Sequence, residues 1–77
     1  MKTVTIVDCE FETAAFEFPE DARNFACDLW REHYHEIIKQ VAEEDGIPFE
    51  EALNESVIMS EEQPDESLIS IRELVVN

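Results

Sequence analysis

The chain has one glycine, so it lacks the glycine-rich loop that commonly holds a phosphate group. It has 5 Lys and Arg residues against 20 Asp and Glu, a formal net charge of -15. Direct binding to nucleic acid is disfavoured because Lys and Arg side chains neutralise phosphates. No apolar run approaches the length that spans a bilayer, and no basic-then-apolar leader is present. We expect a cytoplasmic protein with neither a nucleic acid nor a membrane as its direct partner.

Cysteine and histidine are also scarce. Cys9 and Cys27 fall on different predicted elements, and one such pair in an acidic intracellular chain is typical of reduced, partly buried thiols, although pairing stays open. His33 and His35 are two apart on a predicted helix and so do not share a face that could hold a metal. We expect His33 to be partly buried and His35 to lie on the surface.

The chain is short for an enzyme. A domain of 77 residues has little room for the enclosed pocket that shifts the pKa values of catalytic groups. We therefore expect no catalytic residues, no cofactor, no metal site and no enzymatic activity. The hydrophobic fraction of 44% nevertheless indicates a folded protein. Residues 1–77 are expected to form one domain.

The main predicted element is one long amphipathic helix from Pro19 to Asp45. Apolar or small side chains recur every three or four residues along it, which places them on one side. Pro19 suits the first helical turn, and Gly46 can adopt the left-handed conformation that ends a helix. Three opposite-charge pairs spaced three apart are expected to support the helix: Glu20 with Arg23, Asp28 with Arg31, and Glu36 with Lys39.

The remaining elements are predicted to be short. Alternation predicts a strand over 2–12 and a second over 13–18, turning near residues 10–13. Pro48 introduces a short second helix at residues 49–53. The fold class is α+β, a small antiparallel sheet of two hairpins and about four strands packed against the long helix and the short one. The second hairpin is predicted to join residues 56–59 and 68–76, with the last strand central in the sheet because its end is apolar on both faces.

The acidity suggests a partner. So negative a surface repels itself, so the charge either serves solubility or meets a basic surface. Asp8, Glu10 and Glu12 would lie about 6.6 Å apart on one side of the first strand. This ladder could imitate the charges of a DNA strand, or it could line the wet face of the sheet.

The segment Asn54-Glu55-Ser56-Val57-Ile58-Met59-Ser60-Glu61-Glu62, followed by Pro64-Asp65-Glu66-Ser67-Leu68-Ile69, resembles the phage uracil-DNA glycosylase inhibitor family. In that family a Glu-Ser-aliphatic edge strand enters the DNA cleft of the enzyme. The resemblance implies that Glu55 stands in for a phosphate and that Ser56 forms a hydrogen bond in the cleft. It also implies that Val57 follows them on the strand and that Met59 lines an apolar pocket, with Glu61 and Glu62 in the acidic segment beyond. Residues 56–59 could equally be an ordinary core strand.

Three functions are consistent with these features. The first is a DNA-mimic inhibitor in the basic DNA-binding cleft of a host protein, with uracil-DNA glycosylase as the first candidate target. The second is another anti-defence DNA mimic, such as an anti-CRISPR or anti-restriction protein. The third is a small acidic protein-interaction module without mimicry. A mimic should depend on salt and on Glu55, whereas a module driven by apolar burial should depend little on either.

Overall fold

The computed structural model describes residues 2–76, which form a three-stranded sheet with helices packed against it. The α+β class is therefore confirmed, whereas the prediction of about four strands is wrong for the described part of the chain. In chain order the elements are β1 (Lys2–Asp8), β2 (Thr13–Phe16), α1 (Pro19–His33), α2 (His35–Asp45), α3 (Phe49–Glu62), a short 3-10 turn (Pro64–Glu66) and β3 (Ser70–Val76).

The first predicted hairpin is confirmed, but its strands are shorter than the predicted ranges 2–12 and 13–18. β1 pairs antiparallel with β2, and its side chains alternate between the two faces of the sheet. Thr5 and Val7 point into the core and are buried, while Val4 and Ile6 lie half-buried on the opposite face. β1 is therefore the central strand, since β3 pairs along its other edge from Lys2 opposite Val76 to Asp8 opposite Ser70.

The predicted second hairpin does not exist. Residues 56–59 are helical, so β3 has no neighbour but β1 among residues 2–76 and lies at an edge of the sheet. The prediction that the last strand is central is wrong for this reason. The apolar end of β3, residues 74–76, is exposed instead of buried.

The predicted long helix is interrupted at Tyr34, whose backbone leaves the helical region at φ -124° and ψ 25°. No proline or glycine marks this position. The Tyr34 ring is buried against Trp30, with ring centroids 5.3 Å apart, and it also faces Phe11 at 6.0 Å. We attribute the bend to this packing. Beyond it, α2 packs on α1 and α3, whereas α1 and α3 contact the sheet.

Both outer boundaries of the predicted helix are confirmed. Pro19 opens α1, and Glu20 and Asp21 lie in its first turn, where they complement the positive end of the helix dipole. Gly46 ends α2 with φ 67°. The N–H groups of Gly46 and Ile47 both donate to the Ala42 carbonyl oxygen, which satisfies the last turn.

The second predicted helix is longer than expected. α3 runs for 14 residues, and its buried side chains follow a helical spacing through the segment that was predicted to be a strand. The buried residues are Ala52, Leu53, Val57 and Ser60.

A buried hydrogen bond ties α3 to α1. Trp30 Nε1 donates to Ser60 Oγ at 3.0 Å, and Ser60 Oγ donates to the Ser56 carbonyl oxygen at 2.9 Å. The indole N–H is thereby satisfied inside the apolar core. Of the helices in residues 2–76, none combines the length and apolarity needed to cross a membrane.

Candidate functional site

The segment that carries the resemblance lies on α3 and not on an edge strand. Val57 is 3% exposed and belongs to the core. Ser56 is half-buried, and its hydroxyl donates to the Ala52 carbonyl oxygen at 3.0 Å. The edge-strand geometry implied for these residues is therefore wrong, because Leu53, Val57 and Ser60 bury one helical side of the segment. Glu55 and Met59 remain exposed on α3.

The carboxylates of α3 fall into two groups, which lie about 110° apart around the helix. Glu50 and Glu61, about three turns apart, lie on the side toward α1. Arg31 donates to both carboxylate oxygens of Glu50 at 3.0 and 3.2 Å. Arg23 forms a similar two-pronged pair with Glu61. The predicted site residue Glu61 is thus already neutralised within the fold.

The other side of α3 carries Glu51, Glu55 and Glu62, which we call the acidic row. Spacings of four and seven residues place the three on one helical side, about 6 Å and about 10.5 Å apart along the axis. All three are exposed, and within residues 2–76 none forms an ion pair. The row combines Glu55 and Glu62, which were predicted site residues, with Glu51, which was not.

Beside the acidic row an open groove of about 300 Å³ lies between α2 and α3. We call it the α2–α3 groove. Its walls include Ile37 and Met59, which are 43% and 47% exposed. Asp45 and Glu55 contribute the charged groups. The complete lining is Trp30, Ile37, Val41, Asp45, Ala52, Glu55, Ser56 and Met59.

The resemblance implies an apolar pocket at Met59, and in the structure Met59 lines this groove between α2 and α3. The structure brings Glu55, Ser56 and Met59 together at this groove and leaves Val57 outside it. The contribution of α2 was missed in the sequence. Its signal was the four-residue spacing of Ile37, Val41 and Asp45.

The carboxylates of the first hairpin do not form the predicted ladder. β1 ends at Asp8, so Glu10 and Glu12 lie in the connection to β2, where the Cys9 N–H donates to the Glu12 carbonyl oxygen at 2.9 Å. Asp8 accepts a hydrogen bond from the Thr13 hydroxyl. All three carboxylates are exposed, but strand spacing does not relate them.

The three predicted pairs along the helix are absent among the described residues. Arg23 and Arg31 of α1 reach α3 instead, and Glu36 and Lys39 form no ion pair within residues 2–76. The remaining ion pairs are Lys2 with Glu17 and Arg72 with Asp65. The ammonium group of Lys2 holds the pKa of Glu17 below its ordinary value. Of the 20 acidic residues, sixteen are thus outside the four ion pairs found in residues 2–76.

Neither histidine is buried. His33 is exposed, which contradicts the expectation, and it stacks on Phe11 with ring centroids 4.5 Å apart. His35 lies on the surface as expected, 4.9 Å from the Phe49 ring. In the described part of the chain no three His, Cys, Asp or Glu side chains converge as a metal site.

The thiols of Cys9 and Cys27 are half-buried and unbridged. Burial raises the pKa of the Cys27 thiol, and the nearby Arg31 opposes this only in part. A raised pKa keeps a thiol protonated, which lowers its reactivity as a nucleophile.

A larger hollow of about 460 Å³ lies between the sheet and the start of α1. It contains two cations, Arg23 and Arg72, together with Glu61 and Glu73. Both arginines are engaged, with Glu61 and with Asp65. The hollow therefore offers no free cation to an anionic ligand, and the α2–α3 groove with the acidic row is the stronger candidate.

The chain matches no protein-family model, no curated protein and no solved structure.

Proposed function

We propose that this protein is a non-enzymatic inhibitor that occupies the basic nucleic-acid-binding cleft of a host protein and acts as a DNA mimic. The observation that carries the proposal is the acidic row on α3, three exposed carboxylates that have no cationic partner within residues 2–76. A cleft that binds nucleic acid presents Lys and Arg to phosphates. The same cations can pair with carboxylates that are held in a regular array.

The rigidity of α3 supports the proposal. Its buried side packs on the core through Leu53, Val57 and Ser60. The carboxylates on its other side therefore have fixed backbone positions, and only their side chains lose freedom on binding. The net charge of -15 would in addition speed association with a basic surface at low ionic strength.

Uracil-DNA glycosylase is the first target to test, on the strength of the resemblance at residues 54–62 and 64–69. The proposal does not use an edge-strand contact, because the segment is helical. It assigns Glu55 to a phosphate-like role within the acidic row. An anti-CRISPR or anti-restriction target follows from the same charge and is the alternative within this class.

The decisive experiment is a titration of the protein into a uracil-excision assay with a bacterial uracil-DNA glycosylase. Stoichiometric loss of activity is expected, and higher salt should weaken it. Replacing all three residues of the acidic row by Gln should weaken inhibition at least about tenfold, since charged pairs in a cleft are each worth about 1 kcal/mol or more.

The matched control replaces Glu32, Glu36 and Glu43 by Gln, which removes the same charge from exposed, unpaired positions on α1 and α2. Inhibition by this variant should stay within about twofold of the parent, apart from the general effect of net charge on association rate. Equal loss in both variants would show that only total charge matters and would remove the acidic row from the proposal.

Absence of inhibition at large excess would discard the glycosylase as target. The broader mimic proposal is then tested by immobilising the protein, passing a host lysate over it, and eluting with duplex DNA. A mimic should retain nucleic-acid-binding proteins that the duplex releases. If duplex DNA elutes only those proteins that salt also elutes, the mimicry proposal is wrong.

The apolar lining of the groove favours a second candidate function, an acidic protein-interaction module without mimicry. Ile37 and Met59 are both substantially exposed there. A module of this kind would bind through apolar burial, which salt does not screen. Binding that persists at about 1 M salt and survives removal of the acidic row would favour this candidate.

A further inference from the structure

We infer that the α2–α3 groove is a docking site for an amphipathic helix of a protein partner, one whose apolar side chains are flanked by Lys or Arg. This inference goes beyond the proposed function and does not depend on it. The site itself is argued from the shape, lining and charge of the groove.

The shape of the groove suits a helix. Its walls are α2 and α3, two helices joined by the short connection at Gly46-Ile47-Pro48. Lining residues run from Ile37 to Asp45 on α2 and from Ala52 to Met59 on α3. These spans correspond to about 10–12 Å, or two helical turns. Helices that dock in grooves place apolar anchors at such spacings, at i, i+3 or i+4, and i+7.

The lining divides into an apolar floor and an acidic rim. Trp30, Val41 and Ala52 provide apolar surface between the exposed walls Ile37 and Met59. Asp45 on α2 and Glu55 on α3 contribute carboxylates, and no Lys or Arg lines the groove among the described residues. An occupant should therefore carry apolar side chains toward the floor and positive charges toward both rims.

The cations of the chain are held elsewhere. Lys39, on α2 itself, is two residues from Ile37 and so lies about 200° around the helix from it. Arg23 and Arg31 pair with Glu61 and Glu50 on the side of α3 toward α1. Within residues 2–76 no cation therefore neutralises Asp45 or Glu55 at the rim, which favours a basic occupant over an acidic one.

The same charge argues against other occupants. A second copy of this chain would bring another net charge of -15 against the rim. Nucleic acid and an anionic membrane surface would be repelled for the same reason. A basic amphipathic helix is the class that satisfies both the floor and the rim.

The test uses an 18-residue Leu/Lys peptide with Leu at helical spacing as the probe. A peptide of the same composition, with its Leu residues distributed around the helix, is the control. Trp30 is the single tryptophan and lines the groove, so its emission reports occupancy directly. Isothermal titration calorimetry gives the affinity. The patterned peptide should bind and shift the Trp30 emission, and the scrambled peptide should bind at least about tenfold more weakly.

Charge-neutral variants then locate the binding site. Replacing Ile37 and Met59 together by Gln should weaken binding of the patterned peptide at least about tenfold, because both side chains lose apolar contact. The matched control is Ile58→Gln. Ile58 precedes Met59 on α3 and is 44% exposed, but it lies outside the groove. The affinity of this variant should stay within about twofold of the parent. Circular dichroism would verify that all variants fold.

Equal weakening by Ile58→Gln, equal binding of the scrambled peptide, or no binding at millimolar peptide would each overturn the inference. So would a concentration-dependent dimer that the Ile37 and Met59 substitutions abolish, since the occupant would then be a second copy. Failure of the proposed function is separable. Peptide binding in the groove with no inhibition of any DNA-binding protein would refute mimicry and leave the docking site standing.

Discussion

Lowering the ionic strength should destabilise this fold strongly. Sixteen carboxylates lie outside the ion pairs of residues 2–76, and the four pairs present are mostly exposed. Exposed pairs of this kind contribute little. Repulsion among the remaining charges is therefore offset chiefly by salt, so the free energy of unfolding should rise with salt concentration.

The magnitude follows from the charge and the size of the molecule. A net charge of -15 corresponds to roughly 100 pairs of like charges. The radius of gyration of 12.8 Å puts the charges of an average pair about 18 Å apart in the folded protein. In the unfolded chain the same average distance is about 38 Å. With a Debye length of about 8 Å the excess repulsion in the folded state is about 2 kcal/mol. With a Debye length of about 30 Å it is about 10 kcal/mol.

The difference is comparable to the whole stability expected of a domain of this size, roughly 4–12 kcal/mol. Urea unfolding followed by Trp30 fluorescence, from about 0.01 to about 0.5 M NaCl at constant pH, measures it. Replacing the acidic row by Gln removes three charges and about a third of the like-charge pairs, so the salt dependence should fall by about a third. A urea midpoint that does not change with salt would refute the reasoning.

Three further predictions concern single positions. Ser60→Ala should lower the free energy of unfolding, measured in urea, by about 1–3 kcal/mol, because it leaves the buried Trp30 N–H without an acceptor. In a Trp30→Phe background this N–H is absent, so Ser60→Ala should no longer carry the cost of an unpaired donor. Gly46→Ala should lower the free energy of unfolding by about 1 kcal/mol, because alanine disfavours the φ of 67° at this position. No atom lies within 4 Å of the added Cβ, so a steric clash contributes nothing. Gly46→Asn should cost less, because asparagine adopts the left-handed conformation more readily. In a Cys9→Ala background, iodoacetamide should alkylate Cys27 more slowly than in the urea-unfolded chain at about pH 8, because burial raises the pKa of its thiol and lowers the thiolate fraction. Mass spectrometry measures this rate, and equal rates in the two states would contradict the assignment.

The parts of the fold that local sequence signals specify were predictable. Strict alternation predicted β1 and its turn into β2, and Pro19 and Gly46 marked the outer boundaries of the helical segment. The break at Tyr34 was not predictable, because no helix-breaking residue lies there and the packing against Trp30 and Phe11 to which we attribute it is not a local sequence signal.

The error over residues 56–59 has a definite physical origin. Val57, Ile58 and Met59 form a short apolar run, which by itself suits a strand and a buried helix equally well. The structure uses only Val57 of the three for the core and exposes Ile58 and Met59. The decisive signal was the longer period from Leu53 through Val57 to Ser60, in which a serine occupies a core position because it accepts the Trp30 N–H.

The candidate site was predictable only in part for the same reason. Glu55, Glu62 and Met59 are exposed in the structure, but their neighbours depend on whether the segment is a strand or a helix. Helical geometry removes Val57 from the surface and brings Glu51 into line with Glu55. The spacing of Ile37, Val41 and Asp45 places these residues on one side of α2, but it does not tell which helix packs beside that side, so the complete groove was not predictable.

The distribution of charge in this protein is determined by its few cations more than by its many carboxylates. Arg23 and Arg31 both project from α1 and pair with Glu61 and Glu50, so one side of α3 is neutralised within the fold. The other side keeps its charge because α2, which packs there, contributes Asp45 to the groove and turns Lys39 away. Acidic residues spread along the whole chain thus leave an unpaired row beside an apolar groove. A partner that matches both features would gain a salt-dependent rate of association from the row and salt-resistant burial from the groove.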